Sequence, residues 1–213
     1  MVEFSLVHSI TTEMCTGFLT LSAFCILLKL IVDGYLKRFQ GKFKRLDWLA
    51  TKFSQYADPA SYIAMGGGVI MVLVSGTTGL LSWQFDRLAQ SGLAHNKVLL
   101  TVASEVIFIG AFILRARYSS KLWADRLTAW IYTALAMVAF LLLVLQNSVA
   151  GQMAKGKSLL DYFFPWLKGM EAQAISFPVW GSILTIVGTV VIVLVAFIIT
   201  RRKVESARKY TPA

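Results

Sequence analysis

The chain has 213 residues, 57% of them hydrophobic, and a mean hydropathy of +0.66. This apolar content exceeds the roughly 45–50% of soluble domains, which favours a protein in contact with lipid. The formal net charge is +10, but the Lys and Arg residues form short blocks between apolar runs, as at the flanks of membrane spans. We therefore expect membrane lipids as partners and no nucleic acid, because a nucleic-acid-binding domain gathers its basic residues on one face.

Five apolar runs each approach the roughly 20 residues that a membrane-spanning helix needs. They are predicted to be helices, because a lone strand would leave backbone groups unpaired in hydrocarbon. The sequence thus predicts an all-α protein, a polytopic membrane bundle with five transmembrane helices. The runs cover approximately residues 10–35, 59–83, 97–114, 127–146 and 178–200.

Basic residues are concentrated in the loop 37–58, in the segment 115–126 and after residue 200. The positive-inside rule assigns these parts of the chain to the cytoplasm. The expected orientation in the cell membrane therefore places the N-terminus outside and the C-terminus in the cytoplasm.

Helix starts are indicated at two places in the sequence. Asp58 and Pro59 are predicted to be the N-cap and the first residue of helix two, and Ser176 is predicted to cap helix five. Helix two also contains small residues, which let helix backbones approach closely, so we expect it to be central in the bundle. These small residues are Gly66, Gly67, Gly68, Ser75, Gly76 and Gly79.

No long repeat or low-complexity tract divides the chain, so we expect a single transmembrane domain over residues 1–213. The longest outer loop is apolar around Trp166, and we predict that it lies on the membrane surface or against a partner subunit. In chain order the domain comprises a four-helix core over about residues 5–150, an outer interfacial loop over 151–176, a fifth helix over 177–200 and a basic cytoplasmic tail over 201–213.

The chain has two histidines, His8 just before the first span and His95 just before the third. Both helices begin at the outer face, so both imidazoles are expected there at similar depth. Two neutral imidazoles that face each other could hold a haem iron, or a copper or zinc ion with a carboxylate such as Glu3, Glu13 or Asp86. Glu13, however, points about 140° away from His8 around the helix. The competing interpretation is a pair of interfacial histidines hydrogen-bonded to headgroups, water or neighbouring helices.

Glu105 falls near the middle of the third span. A carboxylate at such a position costs about 2.5–3.5 kcal/mol on insertion scales, so it must face protein, water or a partner. Two interpretations stay open. Glu105 is either a proton-relay or ion-binding carboxylate, or a protonated acid bonded to a hydroxyl of Ser75, Thr77 or Thr78.

Other charges near the spans have structural interpretations. Lys29 and Asp33 are four residues apart on one helix and are predicted to pair. Arg115 and Arg117 end the third span, and we expect them to contact lipid phosphates or Asp58 of helix two.

Four stretches carry a resemblance to known proteins, namely LVHSITTEMCTGFLTLSAF, GLLSW at 79–83, HNKVLL at 95–100 and ILRAR at 113–117. They resemble a family of small, functionally uncharacterised prokaryotic integral membrane proteins, whose first helix opens with a Val-His-Phe-Pro type motif. The resemblance covers about residues 5–161 and implies a four-helix core with paired outer-face histidines, here His8 and His95, and haem binding in the manner of b-type cytochromes. The chain departs from the motif at Ser9-Ile10, in place of Phe-Pro, and at Ser82, in place of Asp.

These features suggest two functions. The first is a subunit of a membrane-bound redox or respiratory-type complex, accessory or electron-transferring, with other membrane subunits as partners and with haem b, copper or zinc held by His8 and His95. The alternative is a small ion or solute transporter that uses Glu105. We do not expect the chain to be catalytic alone, because it contains no nucleophile with its base, no HExxH motif and no carboxylate cluster.

Overall fold

The computed structural model describes residues 4–39, 41–82, 91–156 and 179–209. Within these ranges it contains five long α-helices and no strand, and all five helices are long and apolar enough to cross a membrane. The prediction of an all-α protein with five apolar spans is therefore confirmed, and the chain has the character of a multi-pass membrane protein. The helices are α1 (Phe4–Phe39), α2 (Lys44–Ser82), α3 (Gly92–Tyr118), α4 (Arg126–Lys155) and α5 (Val179–Lys209), with a 3₁₀ helix at Ser119–Trp123.

Some predictions concern residues outside the described ranges. Trp166, most of the outer loop over 151–176 and the Ser176 cap lie there, as do Glu3 and Asp86. The described part of the loop is helical, because α4 continues to Lys155 and ends at Gly156, whose φ of 63° is a left-handed conformation that suits glycine. Helix five likewise runs beyond its predicted end at residue 200, to Lys209.

The second helix starts earlier than the sequence predicts. α2 begins at Lys44, so Asp58 and Pro59 lie inside the helix, and the prediction of an N-cap at Asp58 is wrong. A proline inside a helix removes one backbone hydrogen bond. Asp58 accepts hydrogen bonds from α3 and from the 3₁₀ helix instead of capping its own helix. The caps that the structure does show are Ser91 for α3, which accepts from Ala94 N, and Asp125 for α4.

Consecutive helices run antiparallel. Residue numbers rise along α1 as they fall along α2 in the hydrogen-bonded pairs Ser22 with Ser61, Lys29 with Ser54 and His8 with Ser75. α2 and α3 pair in the same sense, because Arg115 in the last turn of α3 bonds Asp58 in the first half of α2. α1 and α3 therefore begin at one end of the bundle, which we call the His8 end. The opposite end is the Arg115 end.

α3, rather than α2, is the central helix. It contacts α2, α4 and α5, and it buries an apolar face that includes Ile107, Phe108 and Leu114. The prediction of a central helix two is wrong. Among the described residues, its glycines contact only α1 and α3, while Ile63 and Ile70 of α2 are exposed. The contacting side chains are those of Phe18, Leu19, His8 and Phe112.

The bundle consists of two packed units. α1 and α2 pack mainly against each other, and α3 packs mainly against α4 and α5, with thinner contact between the two groups. Glycine makes the α1–α2 contact close, since the ring of Phe18 lies over Gly67 and the buried Leu19 lies against Gly68. Gly110 of α3 lets Val193 of α5 approach in the same way.

A group of charged and aromatic residues joins the two units at the Arg115 end. The Nε of Arg115 donates to Asp58 Oδ1 at 2.8 Å, its second terminal nitrogen donates to Oδ2, and Trp123 Nε1 donates to Oδ1 at 2.7 Å. Lys29 Nζ lies 3.1 Å from Asp33 Oδ2 and 5.1 Å from the centre of the Trp123 ring. We call these five residues the Arg115 cluster.

The cluster decides two sequence predictions. The expected pair of Lys29 and Asp33 is confirmed. For Arg115, the partner that the structure shows is Asp58, whereas Arg117 is exposed beside it. Because the Asp58–Arg115 pair is buried and bidentate, it fixes the distance between α2 and α3 at this end.

We predict that Arg115→Gln destabilises the protein by about 3–5 kcal/mol, because it leaves Asp58 buried without its cation. Thermal unfolding of the purified protein in one detergent measures the loss. Arg117→Gln is the matched control, since Arg117 is exposed on the same turn. An equal effect of the two substitutions would show that the buried pair does not hold the helices.

A second prediction concerns the α1–α2 contact. A Cβ at position 68 would overlap the side chain of Leu19, which is only 1% exposed and cannot move aside. Gly68→Ala should therefore cost about 1–3 kcal/mol despite its better helix propensity. Gly17→Ala on α1 should not cost stability, because nothing lies within 4 Å of its Cβ position. Comparable unfolding temperatures for the two variants would contradict this packing.

Candidate functional site

A cavity of about 450 Å³ lies between the two units, toward the His8 end. Its wall is mostly apolar and comes from α1, α2 and α3, with Gln146 and Met153 from α4. α2 and α3 are joined at the Arg115 end by the Asp58–Arg115 pair, and residues of both helices nearer the His8 end line the cavity. A partly open space of this size, with a few polar groups in an apolar wall, is the usual form of a small-molecule site.

His8 contributes to the cavity wall from the second turn of α1. Its Nδ1 lies 2.8 Å from the carbonyl oxygen of Ser75 and 3.3 Å from the Ser75 hydroxyl. The ring fits there because residue 79 is glycine, where a Cβ would stand 2.8 Å from His8 Cε1. Thr12, one turn further along α1, bonds the Ser75 hydroxyl at 2.6 Å. These contacts tie α1 to α2 at the rim of the cavity.

His95 has a different neighbour. Its Nε2 lies 2.8 Å from the hydroxyl of Ser182 on α5, and the residue does not line the cavity. The two histidines are therefore at the same end of the bundle but contact different helices, α2 and α5. The described contacts do not bring the two rings together.

Glu105 lies at the midpoint of α3 and lines the cavity. The residue is 8% exposed, and neither carboxyl oxygen has a hydrogen-bond partner within the described residues. The hydroxyls considered as partners are engaged elsewhere, Ser75 with α1 and both Thr77 and Thr78 with carbonyl groups one turn earlier on α2. A buried polar group without a partner is costly, so this carboxyl group needs a proton or a ligand that the described residues do not supply.

Cys15 and Lys97 also line the cavity, and sequence reasoning gave Lys97 no role. Lys97 is half-buried and makes no ion pair with a described residue. The available signal was a lysine eight residues before Glu105 within one apolar span, at a spacing that turns both side chains toward one side of the helix. Gln146 of α4 was also missed, because only the packing of α4 brings it to the cavity.

The remaining predicted site residues do not gather at this place. Glu13 is exposed on α1 and does not line the cavity. Among the described residues, no group of three or more His, Cys, Asp and Glu side chains is arranged to hold a metal ion. The side chains of Arg115 and Arg117 lie at the opposite end of α3.

The arrangement can therefore bind a small molecule or an ion within the membrane-spanning part of the chain. Comparisons with protein-family models, with curated proteins and with solved structures found no match to this chain. The functional assignment consequently depends on the cavity and its lining residues.

Proposed function

We propose that the protein is a small membrane carrier, which takes a solute or an ion into the cavity and uses Glu105 to bind the solute or a coupled proton. The observation that carries this proposal is the buried carboxyl group of Glu105, without a described partner, in the wall of a cavity within a bundle of apolar helices. Ionisable residues at such positions are typical of ion and proton pathways.

The packing supports a carrier rather than an open pore. On the side of Glu105 that faces the Arg115 end, the helices pack tightly. Several side chains there are at most 1% exposed, among them Ile107, Phe108, Leu19 and Met65. Tight packing therefore bounds the cavity on the side of the Arg115 end. By the positive-inside rule we expect the basic Arg115 end to be cytoplasmic, so that the cavity lies in the outer half of the bundle.

Release on the other side requires the two units to move. The α1–α2 unit and the α3–α4–α5 unit are the natural rigid bodies, because each is packed closely within itself. The Asp58–Arg115 pair holds them together at the Arg115 end in this state. Breaking that pair while the His8 end closes would expose Glu105 to the other side, as in alternating access.

We expect proteoliposomes that contain the protein to take up protons when a membrane potential, negative inside, is imposed across them. Glu105→Gln should lower this uptake about tenfold or more, because an amide cannot carry the proton. Glu13→Gln is the matched control, since it makes the same chemical change on an exposed acid of α1. A pH-sensitive dye inside the vesicles reports the flux. Uptake that is absent from the wild type, or equal in both variants, would reject the carrier.

A redox subunit is the second candidate, and one contact favours it. If His8 Nδ1–H donates to the Ser75 carbonyl, Nε2 is left as an acceptor, which is the usual state of a metal-ligating histidine. His95 does not fit as the second axial ligand in this arrangement, because its Nε2 is hydrogen-bonded to Ser182. The haem and metal assignments and the partner subunits therefore stay predictions.

The redox candidate predicts a b-type band in the reduced-minus-oxidised absorbance spectrum of the purified protein. His8→Ala should abolish this band, since His8 would supply an axial ligand. Native gel electrophoresis of membranes should then show the chain in an assembly larger than its monomer. A spectrum without the band, or a band that persists in His8→Ala, would reject His8 as a haem ligand.

A further inference from the structure

Two ionisable side chains in the cavity wall have no partner of opposite charge among the residues that the structure describes. Lys97 and Glu105 are both on α3 and both line the cavity, and neither forms an ion pair with a described residue. They also do not pair with each other. The cavity thus offers a base near its rim and an acid at its floor, which is an arrangement that a ligand with two different ends would complete.

The helix fixes the spacing of the two Cα atoms. Eight residues at about 1.5 Å per residue separate their Cα atoms by about 12 Å along the axis of α3. Eight steps of about 100° also bring the side chains to within about 80° of each other around the helix, so both face one side. A ligand that contacts both groups must therefore be elongated.

The wall between the two groups is apolar. Val98 and Val102 lie between them on α3, and Leu73 and Leu80 face them from α2. The hydroxyls of this region do not make up a coordination shell, because Thr101 bonds the Lys97 carbonyl and Thr77 bonds a carbonyl of its own helix. An inorganic cation without its hydration shell needs about six oxygen ligands, and this part of the cavity wall does not offer them.

We propose that the cavity binds an elongated zwitterion, in which a protonated amine and an acidic group are separated by an apolar chain that spans from Glu105 to Lys97, whose Cα atoms are about 12 Å apart along α3. The amine donates to Glu105, whose carboxyl oxygens are buried in this state and must turn toward the cavity to accept it, and the acidic group accepts from Lys97. This inference rests on the proposed function in that it uses the same cavity, and it names the class of solute that the cavity takes.

The binding experiment uses the full-length protein in lipid nanodiscs and isothermal titration calorimetry. The probes are 8-aminooctanoate, octanoate, octylamine and the short zwitterion 4-aminobutanoate. We expect 8-aminooctanoate to bind about tenfold or more tightly than each of the other three, because only it reaches both charged groups. A tenfold difference corresponds to about 1.4 kcal/mol.

Substitutions separate the two ends of the ligand. Lys97→Gln should weaken 8-aminooctanoate and octanoate but leave octylamine unchanged, whereas Glu105→Gln should weaken 8-aminooctanoate and octylamine but leave octanoate unchanged. Lys97→Arg keeps the positive charge and should retain most of the affinity for 8-aminooctanoate. The matched controls are Lys52→Gln and Glu13→Gln, because both residues are exposed and outside the cavity.

The inference is overturned if 8-aminooctanoate binds no more tightly than octylamine and octanoate, or if Lys97→Gln and Glu105→Gln weaken all probes alike. It is also overturned if Lys97→Arg loses as much affinity as Lys97→Gln. These results are distinguishable from a failure of the carrier. Proton uptake that depends on Glu105, without preference for 8-aminooctanoate, would leave the carrier standing and reject the zwitterion. Selective binding of 8-aminooctanoate without proton uptake would support the zwitterion site and reject the carrier.

Discussion

The constraint on which the site depends is the desolvation of one carboxyl group. Glu105 lies halfway along the most buried helix, and both of its oxygens lack a hydrogen-bond partner in the part of the chain that the structure describes. A membrane interior offers no water to make up that loss, so the group is stable only with a proton or a bound partner. The cavity beside it provides the room for such a partner, and its apolar wall strengthens any electrostatic contact made there.

The position of the cavity follows from how the helices are joined. Close glycine contacts hold α1 to α2, and the bidentate pair between Asp58 and Arg115 joins that unit to α3 at one end. At the other end, His8 and Thr12 bond Ser75 within the first unit and leave α3 free of them. The two units are thus joined by a buried ion pair at the Arg115 end, whereas the cavity lies between them toward the His8 end, where Asn147 of α4 donates to Thr16 of α1.

Much of the fold is predictable from the sequence, because each apolar run must form a complete helix in lipid. The start of α2 is not, because residues 44–58 lack the apolar run that marks a span and because the partner of Asp58 is 57 residues away. The prediction that helix two is central was also wrong, because small residues indicate that two helices approach closely but not how many helices surround them. Glu105 could be identified from the sequence alone, because a carboxylate in the middle of an apolar span has a high insertion free energy. The cavity, and the lack of an ion pair between Lys97 and any described residue, depend on packing between helices that no local pattern encodes.

Chemical modification of Glu105 tests the central claim most directly. An apolar carbodiimide, which reacts with carboxylic acids in apolar surroundings, is added to the protein in nanodiscs, and mass spectrometry locates the adducts. We expect an adduct at Glu105 whose formation is slowed by 8-aminooctanoate, while any adduct at the exposed Glu13 forms at an unchanged rate. No adduct at Glu105, or one whose rate is the same with and without the probe, would contradict a ligand site built on this carboxyl group.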